Sequence, residues 1–359
     1  MGCACISATQ AENEETPDLS HRWQEYSKRL NDEFNEPHRI TWSVYFDNDL
    51  LTSPDKDRDY TGGLTAAFSG SAAKNHIFSI DGPLEYLNKF LGVDRAYNDN
   101  SNIALHAYEI GLEAFTPDNI KTKEPLFDDR PYASLVYISN TRQYFQPEKK
   151  VSWVTSLSVG LLGLNAVGEL QNDLHDLFGS RRAEGWENQI SEGGEPTFRY
   201  SVTRQKYHNT GTLSIDFTSA ARVSVGYLTE VSYGGGFRWG KIRSPWWKFN
   251  ADLNPHGVKE DPTPVTASHR DELYCFAGVN LRLRLYNALL QGQFRDSAVE
   301  YDHEQLNRLI LEGWIGVTKE FSSGFRISYV VRRQSSEFKE GLADRPFTWG
   351  GIIISYQYG

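Results

Sequence analysis

Leucine and arginine alternate along one stretch of the chain, and this alternation restricts the possible folds more than any other feature. Leu281, Leu283 and Leu285 share one face of an extended strand, because side chains two residues apart point the same way, while Arg282 and Arg284 share the other face. One apolar and one charged face are typical of a membrane barrel, whose charged side lines the lumen. A soluble sandwich shows the same alternation with its apolar faces turned inward, so the pattern alone leaves both folds open.

A second stretch, residues 325–331, repeats the alternation, and three other features favour the membrane barrel over the sandwich. The N terminus resembles a secretory signal, and the last strand-like run extends to the final residue. Aromatic side chains, which membrane barrels concentrate at the two lipid–water interfaces, occur near the strand ends. The tryptophans concerned are Trp42, Trp239, Trp246, Trp247, Trp314 and Trp349.

Strand-like runs account for most of the chain, and after the longer runs are split they number about ten to twelve. A short helical pattern over residues 84–91 interrupts them, and helix is otherwise sparse. No window approaches the roughly 18 consecutive apolar residues that a membrane-spanning helix needs, which excludes the helical membrane class. The predicted strands cover approximately residues 39–48, 60–69, 103–115, 132–144, 151–164, 197–207, 212–220, 222–239, 272–289, 309–320, 325–333 and 348–358.

The first 11 residues, MGCACISATQA, resemble the tail of a secretory signal cleaved before Glu12. The stretch is short and lacks a basic region, so a start further upstream, lipidation at Cys3 and a disordered tail stay open as alternatives. Residues 12–38 are charged and polar, and we predict an N-terminal extension there. Nothing resembling a linker divides residues 39–359, for which we predict a single barrel domain.

Charge and cysteine content exclude several classes of protein. The formal net charge of −10 argues against nucleic acid as a partner, because a phosphate backbone requires a basic surface. Once the signal-like stretch is removed, Cys275 is the single cysteine, which argues against a disulfide framework. The sequence contains no Gly-x-Ser-x-Gly elbow, so a serine nucleophile is not expected.

Residues 163–186 interrupt the strands with a helical pattern that ends at Gly179, in the position of a C-terminal glycine cap. Gln171 and His175 are four residues apart and therefore stacked on one face, beside an apolar stripe. A surface helix with a solvated polar face is the plain alternative to a catalytic role. The apolar stripe consists of Leu170, Leu174, Leu177 and Phe178.

Three segments stand out together: FDNDLLTSPDKDRDYTGG at 46–63, TPDNI with DDRPYAS within 116–134, and VGELQNDLHDLFG at 167–179 followed by GWENQI. As an ordered set they resemble the LpxR-type outer-membrane lipid A 3′-O-deacylases, over the chain from about Ile40 to the end. The resemblance implies an antiparallel transmembrane β-barrel of twelve strands. In that family a short extracellular loop helix lies against the wall, with the active site between helix and wall.

The resemblance also implies an activity, namely calcium-dependent hydrolysis of the ester that holds a 3′-acyloxyacyl chain on lipid A. The family's catalytic positions fall on Asn48, Asp49, Thr61, Gln171 and His175. The expected partners are lipid A, or lipopolysaccharide, and the bacterial outer membrane, and we expect a monomer.

One family position departs from the pattern. The family's glutamate six residues after the histidine is Arg181 here. We expect Arg181 and Arg182, just beyond the helix end, to contact the phosphates of lipid A. Solvated surface charges are the alternative for both arginines.

The residue types agree with ester hydrolysis, which requires an activated water and a group that stabilises the developing oxyanion. His175 is the natural general base, since the ordinary pKa of histidine is about 6.5. A Ca²⁺ ion takes oxygen ligands, and the candidates are Asn48, Asp49, Asp57 and Asp59. Taken singly, this acidic stretch is also compatible with a solvated loop.

Strand geometry restricts how these residues can act together. In an ideal strand Asn48 and Asp49 point to opposite faces, so both serve one site only if the strand bends there or one acts through its backbone. Asp59 and Thr61 are expected to share a face.

Two rival functions stay open: a non-catalytic pore or structural barrel, and an esterase for another lipid. The polar helix with His175 favours the enzyme, because a pore has no use for it.

Overall fold

The computed structural model describes residues 41–52, 58–96, 103–146, 149–178, 182–208, 210–212, 214–244, 246, 249 and 271–357. Over these residues the chain forms a closed antiparallel barrel of twelve strands, in which each strand pairs with its neighbours in sequence and β1 pairs with β12. The predicted fold class is confirmed. The signal-like stretch and the polar extension before residue 41 lie outside the described residues, and both stay predictions.

The strand bounds follow the predicted runs closely. The first half of the barrel consists of β1 (Thr41–Asn48), β2 (Asp59–Ser69), β3 (Ile103–Thr116), β4 (Ala133–Gln146), β5 (Val151–Leu162) and β6 (Glu195–His208). The second half consists of β7 (Ile215–Gly226), β8 (Leu228–Lys241), β9 (Glu272–Asn287), β10 (Leu309–Glu320), β11 (Phe325–Gln334) and β12 (Phe347–Gln357).

One predicted boundary, between the runs 212–220 and 222–239, is wrong. The chain stays extended through 221 to Gly226, the last residue of β7, and Tyr227 alone separates β7 from β8. Gly226 has a φ of 133°, and a Cβ there would collide with the carbonyl oxygen of Phe198. Only glycine fits a turn with that backbone conformation and that close an approach.

The two faces of the wall have the environments of a membrane barrel and not of a soluble sandwich. Leu281 is 45% exposed and its neighbour Arg282 is 0% exposed, and the same alternation continues through Leu283 and Arg284. The apolar face therefore points outward and the charged face lines the lumen.

Charges in the lumen are paired with one another. Arg282 donates to Glu230 at 3.0 Å and to Glu312 at 2.8 Å, and Arg284 donates to the second oxygen of Glu230 at 3.1 Å. All four side chains are buried. Because a buried charge is tolerated only when paired, these ion pairs explain why the inward positions of β8, β9 and β10 carry both signs of charge.

The described residues of the connections form three α-helices: α1 (Asp81–Phe90) between β2 and β3, α2 (Asn165–Phe178) between β5 and β6, and α3 (Ala288–Gln291) between β9 and β10. The helices predicted near 84–91 and within 163–186 are therefore present. Within the described ranges, none of the helices is long and apolar enough to cross a membrane.

Leu281→Arg should destabilise the barrel by about 2–4 kcal/mol, because it places a charge on the lipid-facing wall near the middle of β9. Leu342→Arg is the matched control, since Leu342 lies in the β11–β12 connection and is 64% exposed. Denaturant unfolding of protein folded into lipid vesicles measures the difference. Equal stability of the two variants would contradict the assignment of faces.

Candidate active site

Connections in an antiparallel barrel alternate between its two ends, which fixes the location of every candidate residue. The β1–β2, β3–β4 and β5–β6 connections share one end, here called the site end. They carry Asp49, the loop 117–132 and helix α2, respectively. The three sequence segments that stood out are thus gathered at one end of the barrel. Helix α1, in the β2–β3 connection, lies at the opposite end.

Asn48 marks the point where β1 stops being a strand. A 3₁₀ turn, Asp49–Leu51, begins immediately after it, so the bend required by the sequence argument is present. The Asn48 side chain accepts a hydrogen bond from the Leu50 N–H at 2.6 Å and donates one to the Thr61 carbonyl at 2.5 Å. The amide oxygen of Asn48 therefore caps the 3₁₀ turn, and its amide nitrogen connects the turn to β2.

Asp49 is buried and ties two connections together. One of its carboxylate oxygens accepts the Arg58 N–H at 2.6 Å. The Arg58 guanidinium in turn donates to Asp118, in the β3–β4 connection, at 2.6 Å. Asp49 thus orders the start of β2, and through Arg58 this order extends to the neighbouring loop.

Thr61 occupies a β-bulge. The register between β2 and β3 shifts between Tyr60 and Gly62, so Thr61 is the extra residue. Its hydroxyl lies 2.5 Å from the hydroxyl of Thr116 at the end of β3, and both side chains are buried. Asp59 is the ladder partner of the same Thr116, although its side chain contacts arginines.

Asp59 forms ion pairs with arginines, which compete with its predicted role as a metal ligand. Arg345 donates to both Asp59 oxygens at 2.9 Å, and the Arg130 Nε lies 3.6 Å away. Burial lowers the pKa of Arg345, but its hydrogen bonds and charge interactions with Asp59 and Asp129 outweigh this, and the pKa lies above its usual value. With both oxygens engaged by a guanidinium, Asp59 is a poor ligand for Ca²⁺.

The sequence analysis missed Arg345, although a signal for it exists. Asp344-Arg345-Pro346-Phe347 repeats the pattern of Asp129-Arg130-Pro131-Tyr132, and the two arginines converge on the same carboxylate. The Arg130 guanidinium also lies over the Phe347 ring, 5.2 Å from its centroid. An internal repeat of Asp-Arg-Pro-aromatic would have pointed to this pair.

Helix α2 buries polar side chains on its packed side. Gln171 and His175 are 7% and 9% exposed, whereas Leu177, from the predicted apolar stripe, is 75% exposed. Val167, one turn before Gln171, is buried on the same side. The side chains of Leu174 and Phe178 lie outside the described residues. The packed side of this helix therefore carries Val167, Gln171 and His175, while the charged side chains of Glu169, Asp173 and Asp176 are exposed.

The surface under α2 is the outer wall of the barrel. Val167 packs in one cluster with Ala114 of β3 and Val136 of β4. Ala114 shares a strand face with Ile110, which is exposed to the outside. The family-like arrangement of a loop helix against the wall is therefore present.

Trp186 fixes the orientation of Gln171 and was given no role by the sequence analysis. Its indole N–H donates to the Gln171 Oε1 at 2.8 Å. Gly168 allows this approach, because a Cβ there would lie 2.5 Å from the Trp186 ring. The Gln171 Nε2 is buried and has no hydrogen-bond partner among the described residues. An oriented amide donor thus remains available at the helix–wall contact.

The candidate residues form two groups joined by β3 and its following loop. Asn48, Asp49 and Thr61 are connected at the end of β1, and Gln171 and His175 lie one turn apart on α2. Thr116, the partner of Thr61, is two residues from Ala114 under α2. The Ile120 carbonyl accepts the Glu184 N–H at 2.8 Å, which joins the same loop to the segment after α2.

The predicted Ca²⁺ ligands do not fit together as a site. Ca²⁺ takes about six to eight oxygen ligands. Asp59 is engaged by arginine, the Asn48 oxygen accepts a backbone N–H, and Asp57 lies outside the described residues. Among the side chains that the structure describes, no group of three or more His, Cys, Asp or Glu residues is placed to hold a metal ion. Asp49 alone cannot supply the oxygen ligands of a Ca²⁺ site.

Of the two arginines expected to bind phosphate, the structure describes only Arg182. Arg181 lies outside the described residues. Arg182 is exposed and forms an ion pair with Asp176 of α2 at 3.2 Å. Phosphate binding by either residue stays a prediction.

A closed barrel with an apolar outer face, a charged lumen and a loop helix on its wall belongs to the class of outer-membrane β-barrel proteins. The model of the family described as "Outer membrane protein LpxR" matches residues 3–358. The chain therefore belongs to the LpxR family, and its location is the outer membrane. No curated protein matches the sequence.

Two solved structures are similar to this chain to different degrees. The structure titled LpxR from Salmonella typhimurium is 18% identical with a TM-score of 0.64, and the match covers 88% of this chain and 99% of that one. An outer-membrane channel from Pseudomonas putida F1 is 8% identical with a TM-score of 0.40, over 89% and 96% of the two chains. At these identities the likeness to the Salmonella protein shows the fold alone.

Asp59→Asn should lower the stability of the barrel by about 1.5–3 kcal/mol, because it weakens the charge-assisted hydrogen bonds from Arg345, which keeps only Asp129 as a charged partner. The loss should be the same with Ca²⁺ and with a chelator, since the partner of Asp59 is Arg345. Thermal unfolding in detergent, followed by gel mobility, measures it. Asp344→Asn, an exposed neighbour in the β11–β12 connection, is the control. A loss seen only with Ca²⁺ present would restore Asp59 as a metal ligand.

Proposed function

We propose that the chain is a hydrolase that removes an ester-linked acyl chain, the 3′-acyloxyacyl chain, from lipid A in the outer membrane. The observation that supports this most is the burial of Gln171 and His175 on the side of α2 whose Val167 packs on the outer wall of the barrel. A polar pair enclosed between a helix and an apolar wall suits a lipid ester, whose acyl chains stay in the membrane while the ester reaches the helix.

His175 is the general base in the proposed reaction. It takes a proton from water, whose oxygen forms a bond to the ester carbonyl carbon. The tetrahedral intermediate then breaks its bond to the sugar oxygen. The proton passes from His175 to that oxygen, which leaves as the sugar hydroxyl, and the acyl chain leaves as a carboxylic acid.

Gln171 stabilises the developing oxyanion in the same proposal. Its Nε2 is a buried donor, and the hydrogen bond from Trp186 to its Oε1 fixes which way the amide points. A donor positioned in advance contributes more than a mobile one, because it needs no reorganisation during the reaction.

Asn48, Asp49 and Thr61 serve as positioning residues in this proposal. Their described contacts fasten the end of β1 to β2, and Thr61 also contacts β3. They thereby shape the wall next to Ala114, on which α2 packs.

The rival function as an open pore is less well supported. Arg282, Glu230 and Glu312 come from three adjacent strands, pair with one another and are 0–1% exposed. Charged side chains therefore fill the lumen at this level instead of lining a wide water channel. An esterase for a different lipid would use the same groups, and product analysis separates the two.

His175→Ala should lower deacylation about 10²- to 10⁴-fold, the usual loss for a positioned general base, while the barrel still folds. Mass spectrometry of lipid A from cells expressing each variant measures the loss of one acyloxyacyl group. His303→Ala is the matched control, because His303 is an exposed histidine in the β9–β10 connection. Full activity in His175→Ala would remove α2 as the catalytic element.

Gln171→Leu should lower the rate of deacylation about 10²- to 10³-fold, as expected for the loss of an oxyanion donor. The same mass spectrometry of lipid A measures this loss.

Calcium dependence is a prediction from the family resemblance, and no step above uses the ion. When bound, Ca²⁺ would polarise the ester carbonyl. A chelator should then abolish deacylation reversibly, and Asp49→Ala should raise the Ca²⁺ concentration needed. Lipid A hydrolysis by purified protein in detergent, with and without chelator, tests this. Unchanged activity in chelator would agree with the poor fit of the predicted ligands and would dismiss the cofactor.

A further inference from the structure

Helix α1, at the opposite end of the barrel from the candidate active site, packs on the outer wall. Its Leu84 is buried against Leu157 of β5 and Tyr200 of β6. Both wall residues face outward, because Leu157 shares a strand face with Leu161 and Tyr200 shares one with Phe198, and Leu161 and Phe198 are exposed. The helix therefore lies on the side of the wall that faces the membrane.

The wall beneath α1 is polar, which is unusual for an outward face in a membrane barrel. Asn140 and Arg142 of β4 and Thr155 of β5 all contact the α1 segment. Arg142 lies four residues from the end of β4, and with a rise of about 3.3 Å per residue it reaches roughly 13 Å into the wall. An uncovered arginine at that depth would face lipid at a cost in free energy.

Helix α1 supplies the partners that this polar patch needs. Asp81 accepts two hydrogen bonds from Arg142, at 2.7 and 2.5 Å, and Glu85 accepts one at 2.8 Å. Asn88 donates to Thr155 at 2.9 Å and accepts from the Tyr200 hydroxyl at 2.8 Å. The hydrogen bonds of the polar side of α1 are thus made to the barrel.

The other side of α1 exposes large aromatic side chains next to the exposed Lys89–Glu85 ion pair. Tyr86 and Phe90 stack with ring centroids 6.2 Å apart and are 68% and 73% exposed. Ile77, Phe78 and Leu91, which flank the helix, are exposed as well. Large apolar side chains exposed on and around one helix mark a contact with an apolar environment.

We propose that this surface, formed by Ile77, Phe78, Tyr86, Phe90 and Leu91, is seated in the membrane leaflet at the opposite end of the barrel and anchors the barrel there. Helix α1 packs on the outward face of β5 and β6 at Leu157 and Tyr200, so this surface borders the lipid-facing wall, which favours lipid over a protein partner. The segment 71–96 carries three basic and three acidic side chains, so its formal charge is balanced. The occupant is therefore the acyl and glycerol region of phospholipids, and anionic headgroups are not required.

Collision accessibility of spin labels tests the proposal. Cys3, Cys5 and Cys275 are replaced by serine, single cysteines are introduced by Tyr86→Cys and Phe90→Cys, and the labelled full chain is folded into phosphatidylcholine vesicles. Leu283→Cys on the lipid-facing wall and Glu304→Cys, in an exposed loop at the site end, are the two references. Heat-dependent gel mobility confirms that each variant is folded.

The expected result is a ratio of oxygen to nickel-chelate collisions at Tyr86 and Phe90 as high as that at Leu283, and unchanged by adding phosphatidylglycerol. A ratio like that at Glu304 would show a water-exposed helix and overturn the proposal. Exclusion of both reagents with spin–spin broadening would identify a second copy as the occupant and overturn it too. If one labelled variant fails to fold, the other position decides, and deacylation does not enter the readout.

Discussion

Pairing between the first and last strands is the interaction on which the rest of the structure depends. β1 pairs with β12 from Thr41 opposite Gln357 to Asn48 opposite Gly350, and without it two strand edges would expose unpaired backbone groups to lipid. The same seam positions the candidate site. A Cβ on Gly350 would lie 2.6 Å from the Leu51 Cβ, so the 3₁₀ turn after Asn48 crosses β12 only because glycine is there. Asn48 is thus both the last residue of β1 that pairs with β12 and the first residue of the candidate site.

Pairing of charges is the second constraint, and it applies to the lumen and to the site end alike. Glu230 is held between two arginines in the lumen, and Asp59 accepts both hydrogen bonds of Arg345 near the candidate site. A carboxylate that neutralises a buried guanidinium cannot be withdrawn for another task without leaving that charge unpaired. This is why an acidic stretch that looked suitable for metal binding contains residues that hold the fold together.

The sequence predicted the features that repeat locally and missed those that depend on distant partners. Alternation in 281–285 predicted both the strand and its faces, since a period of two is a property of neighbouring residues. The partner of Asp59 is 286 residues away, and nothing near Asp59 in the chain indicates it. The bulge at Thr61 likewise depends on the register with β3. Helix α2 was located correctly, but which of its sides is packed depends on what surrounds the barrel.

Both helices on the wall turn polar side chains toward the barrel. A helix on a soluble protein turns its apolar side to the core because water surrounds the protein. Here Gln171 and Asn88 are buried beside the apolar Val167 and Leu84, whereas Leu177 and Phe90 are exposed. At the opposite end the buried polar groups of α1 pair with Arg142 and Thr155. At the site end the Gln171 amide nitrogen finds no acceptor among the described residues, and this difference is what distinguishes a candidate active site from a structural contact built on the same principle.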